Sequence, residues 1–186
     1  TGRGSPAHQF PAMAKALLGL QFNIVAGYES SNDVVLAMER GEVHGQSSSL
    51  QAWAISRPNW LTDGRIAHLL YMGPPDPLGL PNVPYLRDLV ASDRERALVD
   101  FIEIGSYMGW PLFAPPGVPV ERTEALRAAF TSLINDPEFA RAVQSTVKAQ
   151  LQPTVGSALA EFVDHALDTP DNILSEAKTI LGLDRR

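Results

Sequence analysis

Hydroxyl-bearing residues stand immediately before three of the helices that the sequence predicts. Gly4-Ser5 precedes the first helix, Ser30 to Asp33 lead into the second, and Ser47-Ser48-Ser49 precede the third. A helix N-terminus presents unpaired backbone N–H groups and a partial positive charge, so hydroxyls at this position suit an anion such as a carboxylate. Tyr28, with its polar-tipped ring, suits the wall of a ligand cleft. The sequence thus predicts a ligand-binding site made of Gly4, Ser5, Tyr28, Ser30, Ser31, Ser48 and Ser49.

The same serines have a simpler interpretation. Serine, asparagine and aspartate side chains cap helices, because their oxygens accept hydrogen bonds from the first unpaired N–H groups. Capping alone would explain Ser5, Ser48 and Ser49 as well as ligand binding does. The sequence leaves both interpretations open.

Other reactive residue types lack a catalytic arrangement. Ser106, in the run Gly-Ser-Tyr-Met-Gly, stands one place early for a GxSxG nucleophile elbow. Nothing marks Glu39, Glu42 or Glu103 as members of an acid/base pair. The glycine-rich start of the chain lacks the complete phosphate-binding pattern, and metal-ligand spacing is missing among the four histidines. We therefore expect no enzyme activity, no cofactor and no metal at His8, His44, His68 or His165.

Four short apolar runs separated by helical patterns predict strands near residues 22–26, 43–47, 66–71 and 110–114. Where strands lead into helices in a parallel sheet, the connecting loops share one edge. The predicted ligand residues should therefore converge on one cleft. This order of elements indicates an α/β fold.

Helix signals cover much of the remaining chain. Ser5-Pro6 and Gly19 bound a first helix, Ser30–Asp33 and Arg40-Gly41 a second, and Ser92 begins another. Further helices are expected at 50–55, 85–90, 120–134, 137–149, 158–167 and 171–181.

Composition narrows the possible partners. The chain has 186 residues, 45% of them hydrophobic, a net charge of −6 and no cysteine. This is enough apolar material for one large domain or two small lobes. The acidic balance and the lack of a basic cluster argue against nucleic acid, and no apolar run is long enough to span a membrane. Disulfides and thiolate metal sites are excluded.

The second half carries a family resemblance. The run Leu112-Phe-Ala-Pro-Pro-Gly-Val-Pro119, followed by a helix and Asp136-Pro-Glu-Phe139, is similar to the APxGxP and DPE signature of the extracytoplasmic solute receptors of the tripartite tricarboxylate transporter (TctC/Bug) family. Pro81-Asn-Val-Pro84 resembles their P-x-V-P turn. Tyr28 and the Arg40-Gly-Glu-Val43 turn resemble the middle of the same receptors. The matches follow the family's order over nearly the whole chain.

This resemblance implies a periplasmic-binding-protein-like (type II) fold: a three-layer α/β lobe with a parallel or mixed sheet, and C-terminal helices that belong to the other lobe. Residues 1–110 would form the ligand-binding lobe, and residues 111–186 would return to the first lobe. The opening strands of that first lobe are expected to be missing from the start of the chain.

The resemblance also implies a function. The expected protein is a periplasmic receptor that binds a small organic acid and delivers it to the subunits of a membrane transporter. Two alternatives stay open at this point: a ligand-sensing subunit for a signalling partner, and a small α/β hydrolase or transferase.

Overall fold

A computed structural model describes residues 2–73, 82–109, 111–147 and 153–184 of the chain. Helices dominate these ranges. Their bounds are α1 Pro6–Leu18, α2 Ser31–Glu39, α3 Leu50–Ser56, α4 Pro58–Thr62, α5 Leu86–Leu89, α6 Asp93–Met108, α7 Val120–Ile134, α8 Pro137–Val147, α9 Gly156–Leu167 and α10 Asp171–Leu181.

The helices begin and end close to the predicted cap residues. Ser30 and Ser92 each form a capping box, in which the serine hydroxyl accepts from the backbone of a residue three positions later and that residue's carboxylate accepts from the serine N–H. Gly19 and Gly182 end α1 and α10 in the left-handed conformation, which glycine adopts without steric cost. The helix-end signals at Gly19, Ser30, Ser92 and Gly182 are therefore confirmed.

Three helices, α1, α6 and α10, pack against one another and enclose the core, and α5 packs on α6. Met13, Leu86, Leu98 and Val99 are fully buried there, and Ile173 contributes from α10. Complete burial of one such aliphatic side chain stabilises the fold by roughly 1.5–3 kcal/mol. Helices α1 and α10 thus pack on each other and on α6, which comes from the middle of the chain.

The remaining helices attach at the margins of this core. Tyr107 of α6 stacks on Phe162 of α9, with 5.1 Å between ring centroids. Trp53 of α3 stacks on Trp60 of α4 at 5.8 Å. Helix α7 contacts α8, and none of its own residues is buried.

The predicted α/β fold with its three-layer, periplasmic-binding-protein-like lobe is wrong. Across the four described ranges the only β-type pairing is an isolated parallel bridge between Tyr71 and Tyr85, and residues 22–26, 43–47 and 66–70 have no regular secondary structure. A strand needs a second extended segment beside it to satisfy its N–H and C=O groups. Here helices pack directly on helices, and the side chains of Val25 and Leu69 are 57% and 81% exposed rather than buried in a sheet.

Parts of other predictions lie outside the described residues. Trp110, the first residue of the fourth predicted strand, is one of these, and residues 111–114 have no regular structure. Pro81, the predicted end of a helix at residue 149 and Gln152 also lie outside the described ranges. The division into residues 1–110 and 111–186 stays a prediction.

Candidate functional site

A shallow cleft of about 430 Å³, open to solvent, lies between α1, the segment that follows it and the C-terminal end of α10. One face of α1 forms its main wall, because residues 8, 12, 15, 16 and 19 are spaced by three, four or seven positions and so share a side of the helix. The cleft is lined by Arg3, His8, Ala12, Lys15, Ala16, Gly19, Leu20, Gln21, Ile24, Ile180, Leu181 and Gly182.

Arg3 is held at the cleft by the end of α10. Its Nη1 donates to the carbonyl oxygen of Gly182 at 3.3 Å. A Cβ at position 182 would lie only 3.2 Å from the same Nη1, and the φ of Gly182 is +66°. Glycine therefore allows both the left-handed turn and the close approach of the guanidinium. The remaining N–H groups of Arg3 can serve a ligand, because a guanidinium carries five donors.

Lys15 provides the second cation, from the last turn of α1. Its Nζ donates to the carbonyl oxygen of Phe22 at 2.6 Å and lies 5.8 Å from the centre of the Phe22 ring. These contacts fold the segment after Gly19 back along the helix. An ammonium has three donors, so the Phe22 carbonyl leaves two for a ligand.

His8 lies one turn before Ala12 on the same face of α1. Its Nδ1 is shielded from solvent and has no hydrogen-bond partner among the described residues. Buried polar atoms are normally hydrogen-bonded, because leaving one unpaired costs about 1–3 kcal/mol. Because protein atoms cover this nitrogen, a ligand in the open cleft does not reach it, and His8 contributes its ring to the wall.

The charge of the cleft is opposite to that of the chain. Arg3 and Lys15 line it, no aspartate or glutamate does, and neither cation forms an ion pair within the described ranges. The chain as a whole carries a net charge of −6. A locally positive cleft on an acidic protein favours a small anion over a large polyanion, which the surrounding charge would repel.

The residues predicted to bind ligand are mostly engaged in local contacts. Ser5 is the N-terminal flanking residue of α1, but its hydroxyl donates to the carbonyl oxygen of Gly2 at 2.8 Å and makes no side-chain cap. Gly4 lies in the same turn. The neighbouring Arg3 reaches the cleft, so this end of the predicted site lies close to the candidate one.

The other predicted residues lie around the starts of α2 and α3. Ser30 caps α2 through Asp33, and Ser49 caps α3 by accepting from the N–H of Ala52 at 3.1 Å. Gln46 Nε2 donates to the carbonyl oxygen of Ser31 at 3.4 Å, which brings these two loops together. Tyr28 is half-buried and Ser48 is exposed. The capping interpretation thus holds for Ser30 and Ser49, and the role of all seven residues in ligand binding stays a prediction.

A second polar feature is the buried carboxylate of Glu103 in α6, which is 1% exposed. One oxygen accepts from the backbone N–H of Gly73 at 2.9 Å, and the other accepts from the Tyr85 hydroxyl at 2.6 Å. The Tyr85 ring stacks on Tyr71 with centroids 4.8 Å apart. Glu103 thereby holds the segment around Gly73 and the start of α5 against the core.

Burial sets the electrostatics of this group. Loss of solvation raises the pKa of Glu103, and the hydrogen bonds from Tyr85 and Gly73 oppose that rise. Burial, followed by the hydrogen bond to Glu103, also raises the pKa of Tyr85. Neither Glu103 nor Tyr85 lines the cleft at α1. With both oxygens occupied by internal donors, Glu103 has the contacts of a structural residue.

Comparisons with known proteins do not identify a family. The chain matches no family model, and neither the curated proteins nor the solved structures that were compared gave a match. Within the described ranges, no helix is long and apolar enough to cross a membrane, and no group of three or more histidine and acidic side chains is placed to hold a metal ion. The predicted solute-binding architecture and its transport role gain no support here.

Sequence reasoning missed both polar features, although each left a trace. His8 and Lys15 are seven residues apart and therefore share a face of α1. Glu103 follows Val99 and Ile102 at helical spacing, so a carboxylate stands on the apolar face of α6. A charged residue on a buried face is the pattern that would have identified it.

Proposed function

We propose that the chain binds a small organic anion, most simply a carboxylate, in the cleft between α1 and the end of α10. The observation that carries this proposal is the lining of the cleft by Arg3 and Lys15, with no carboxylate in the wall. Hydrogen bonds from charged donors to a carboxylate are worth roughly 1.5–3 kcal/mol each. Two such donors give affinity and fix the position of the anionic end.

The rest of the wall indicates what kind of ligand body would lie beside the cations. Ala12, Ala16 and Ile180 present small or apolar surface, and about 430 Å³ suits a molecule of modest size. This surface would contact a short hydrocarbon body, while the cations contact the acid group. The proposal therefore concerns a small organic acid rather than inorganic phosphate or a nucleic acid.

The proposal does not include the two-lobed α/β receptor, because the described residues contain no sheet. It keeps the expected class of ligand and moves the site from the serine loops to α1. Delivery to a membrane transporter in the periplasm stays a prediction that depends on the sequence resemblance.

Calorimetric titration of the full chain with succinate, citrate and benzoate tests the proposal. We expect at least one of these acids to bind, and Lys15→Met to weaken that binding by about one to two decades, because one charge-assisted hydrogen bond is lost. Arg3→Gln should weaken it by a similar factor.

Lys178→Met is the matched control, since it removes the same charge from α10 at a position outside the lining of this cleft. The Lys178→Met variant should bind the acid with the same affinity as the unmodified chain. If no acid binds, or if all three variants bind alike, the cleft is not the site.

A further inference from the structure

Helix α7 is left largely uncovered by the rest of the chain. None of its residues is buried. Thr123, Phe130 and Ile134 are half-buried, and Leu126 and Leu133 are 60% and 43% exposed. Isolated helices of up to about 15 residues are marginal in water, and most helices in proteins are stabilised by packing of an apolar face. Helix α7 therefore needs apolar contacts beyond those that it makes with α8.

The accessible surface of the chain is larger than that of a compact monomer of the same mass. Its accessible surface is 12698 Å², whereas a compact monomer of 20.2 kDa exposes about 8,800 Å². The surplus of roughly 3,900 Å² is several times the area of about 800 Å² that each partner covers in a stable complex. A second copy packed on α7 would cover part of this area.

The apolar seam of α7 fits a copy of itself. Thr123, Leu126, Phe130 and Leu133 are separated by three, four and three residues, which is the a/d spacing of helices that pair side by side. This spacing is the same in both directions along the chain. In an antiparallel pair centred on Ala128, Leu126 therefore lies opposite Phe130 of the second copy, and Thr123 lies opposite Leu133 of the second copy.

The charges of α7 select this orientation. Glu121, Arg122, Glu124 and Arg127 all precede Ala128, and residues 128–134 carry no charge. In an antiparallel pair, the charged half of each helix lies beside the uncharged half of the other. In a parallel pair, each charged residue would lie near the same residue of the second copy. The two acids and two bases also make the helix neutral, although the chain has a net charge of −6. Like charges across an interface are destabilising, so the pattern favours antiparallel self-pairing.

We propose that the chain forms a homodimer in which α7 packs antiparallel against α7 of a second copy, along the seam Thr123, Leu126, Phe130 and Leu133. This contact is independent of the anion-binding cleft, because no residue of α7 lines that cleft.

Sedimentation equilibrium of the full chain measures the assembly state. The unmodified chain should have twice the 20.2 kDa mass of one copy. Leu126→Glu puts a charge in the centre of the seam and should give the mass of a single copy. The matched control is Leu69→Glu, which changes a leucine that is 81% exposed outside α7 and should leave the dimer intact. A monomeric unmodified chain, or a dimer that Leu126→Glu does not dissociate, overturns the proposal.

Cysteine cross-linking tests the orientation, since the chain has no cysteine of its own. Thr123→Cys and Leu133→Cys chains are prepared separately, mixed and oxidised. The mixture should give cross-linked dimers, because the two positions face each other across the antiparallel seam and a disulfide needs Cα atoms within about 7 Å. Each variant alone should stay uncrosslinked, since ten helical residues separate the two copies of either site by about 15 Å. Cross-linking of each variant with itself, or none in the mixture, contradicts antiparallel pairing.

Discussion

Helices α6 and α7 are nearly equal in length, at 16 and 15 residues, yet they occupy very different environments. Each contains eight apolar residues. Helix α6 buries Leu98, Val99, Ile102 and Glu103 between α1, α5 and α10, whereas α7 buries nothing. The number of apolar residues in a helix therefore does not decide whether they are buried. Burial depends on which other helices of the chain pack against that helix.

The largest difference is expected from truncation of one leucine in each helix. Leu98→Ala removes a side chain with no exposed surface and should lower the free energy of unfolding by about 3 kcal/mol, through lost burial and the cavity left behind. Leu126→Ala, the matched variant in α7, should change it by less than about 0.5 kcal/mol in dilute monomer. Urea denaturation at low protein concentration measures both. Equal losses in the two variants would mean that α7 is as well packed as α6.

The buried carboxylate of α6 should give the next largest effect. Glu103→Leu leaves the Gly73 N–H and the Tyr85 hydroxyl without their acceptor, so the free energy of unfolding should fall by about 2 kcal/mol. Glu103→Gln is the control, because its amide can still accept from Gly73 and bond to Tyr85. Urea denaturation near neutral pH should show a smaller loss for glutamine than for leucine. If leucine is tolerated as well as glutamine, these hydrogen bonds do not stabilise the core.

The cap of α6 should contribute less. Ser92→Ala removes the hydroxyl that accepts from the backbone N–H of Glu95 at 3.2 Å, and loss of such a cap costs about 1 kcal/mol. Thermal unfolding of this variant and of Ser92→Thr measures the cost, since threonine retains a hydroxyl that can accept from the Glu95 N–H and donate to the Glu95 carboxylate. Threonine should restore most of the stability. A failure of Ser92→Ala to lower the unfolding temperature would show that α6 depends on burial alone.

The pH dependence of stability follows from the raised pKa of Glu103. The folded state holds the proton more tightly than the unfolded chain, so this group's contribution is fully present below its unfolded pKa of about 4.3 and is lost as pH rises through the folded value. The difference in unfolding free energy between the unmodified chain and Glu103→Gln should therefore shift in favour of glutamine as pH rises above 4.3. Urea titrations at a series of pH values measure this difference in unfolding free energy. A difference that is independent of pH would contradict the raised pKa of Glu103.

The same contrast explains which features the sequence could predict. Helix ends depend on residues close in sequence, so Ser30, Ser92 and Gly182 marked them correctly. The apolar run at residues 22–26 looks like a strand, but whether it becomes one depends on a partner segment far along the chain. The cleft brings Arg3 to Gly182, a contact across 179 positions. Neither the missing sheet nor this contact can be derived from local patterns.

Hydrogen exchange of the full chain at low and high protein concentration tests the central claim, that α6 belongs to a self-sufficient core while α7 depends on a second copy. Amides of α6 should exchange slowly at both concentrations, with a free energy of opening close to that of global unfolding. Amides of α7 should exchange quickly in dilute protein and more slowly as the dimer forms. Strong protection of α7 in the dilute monomer, equal to that of α6, would contradict the account.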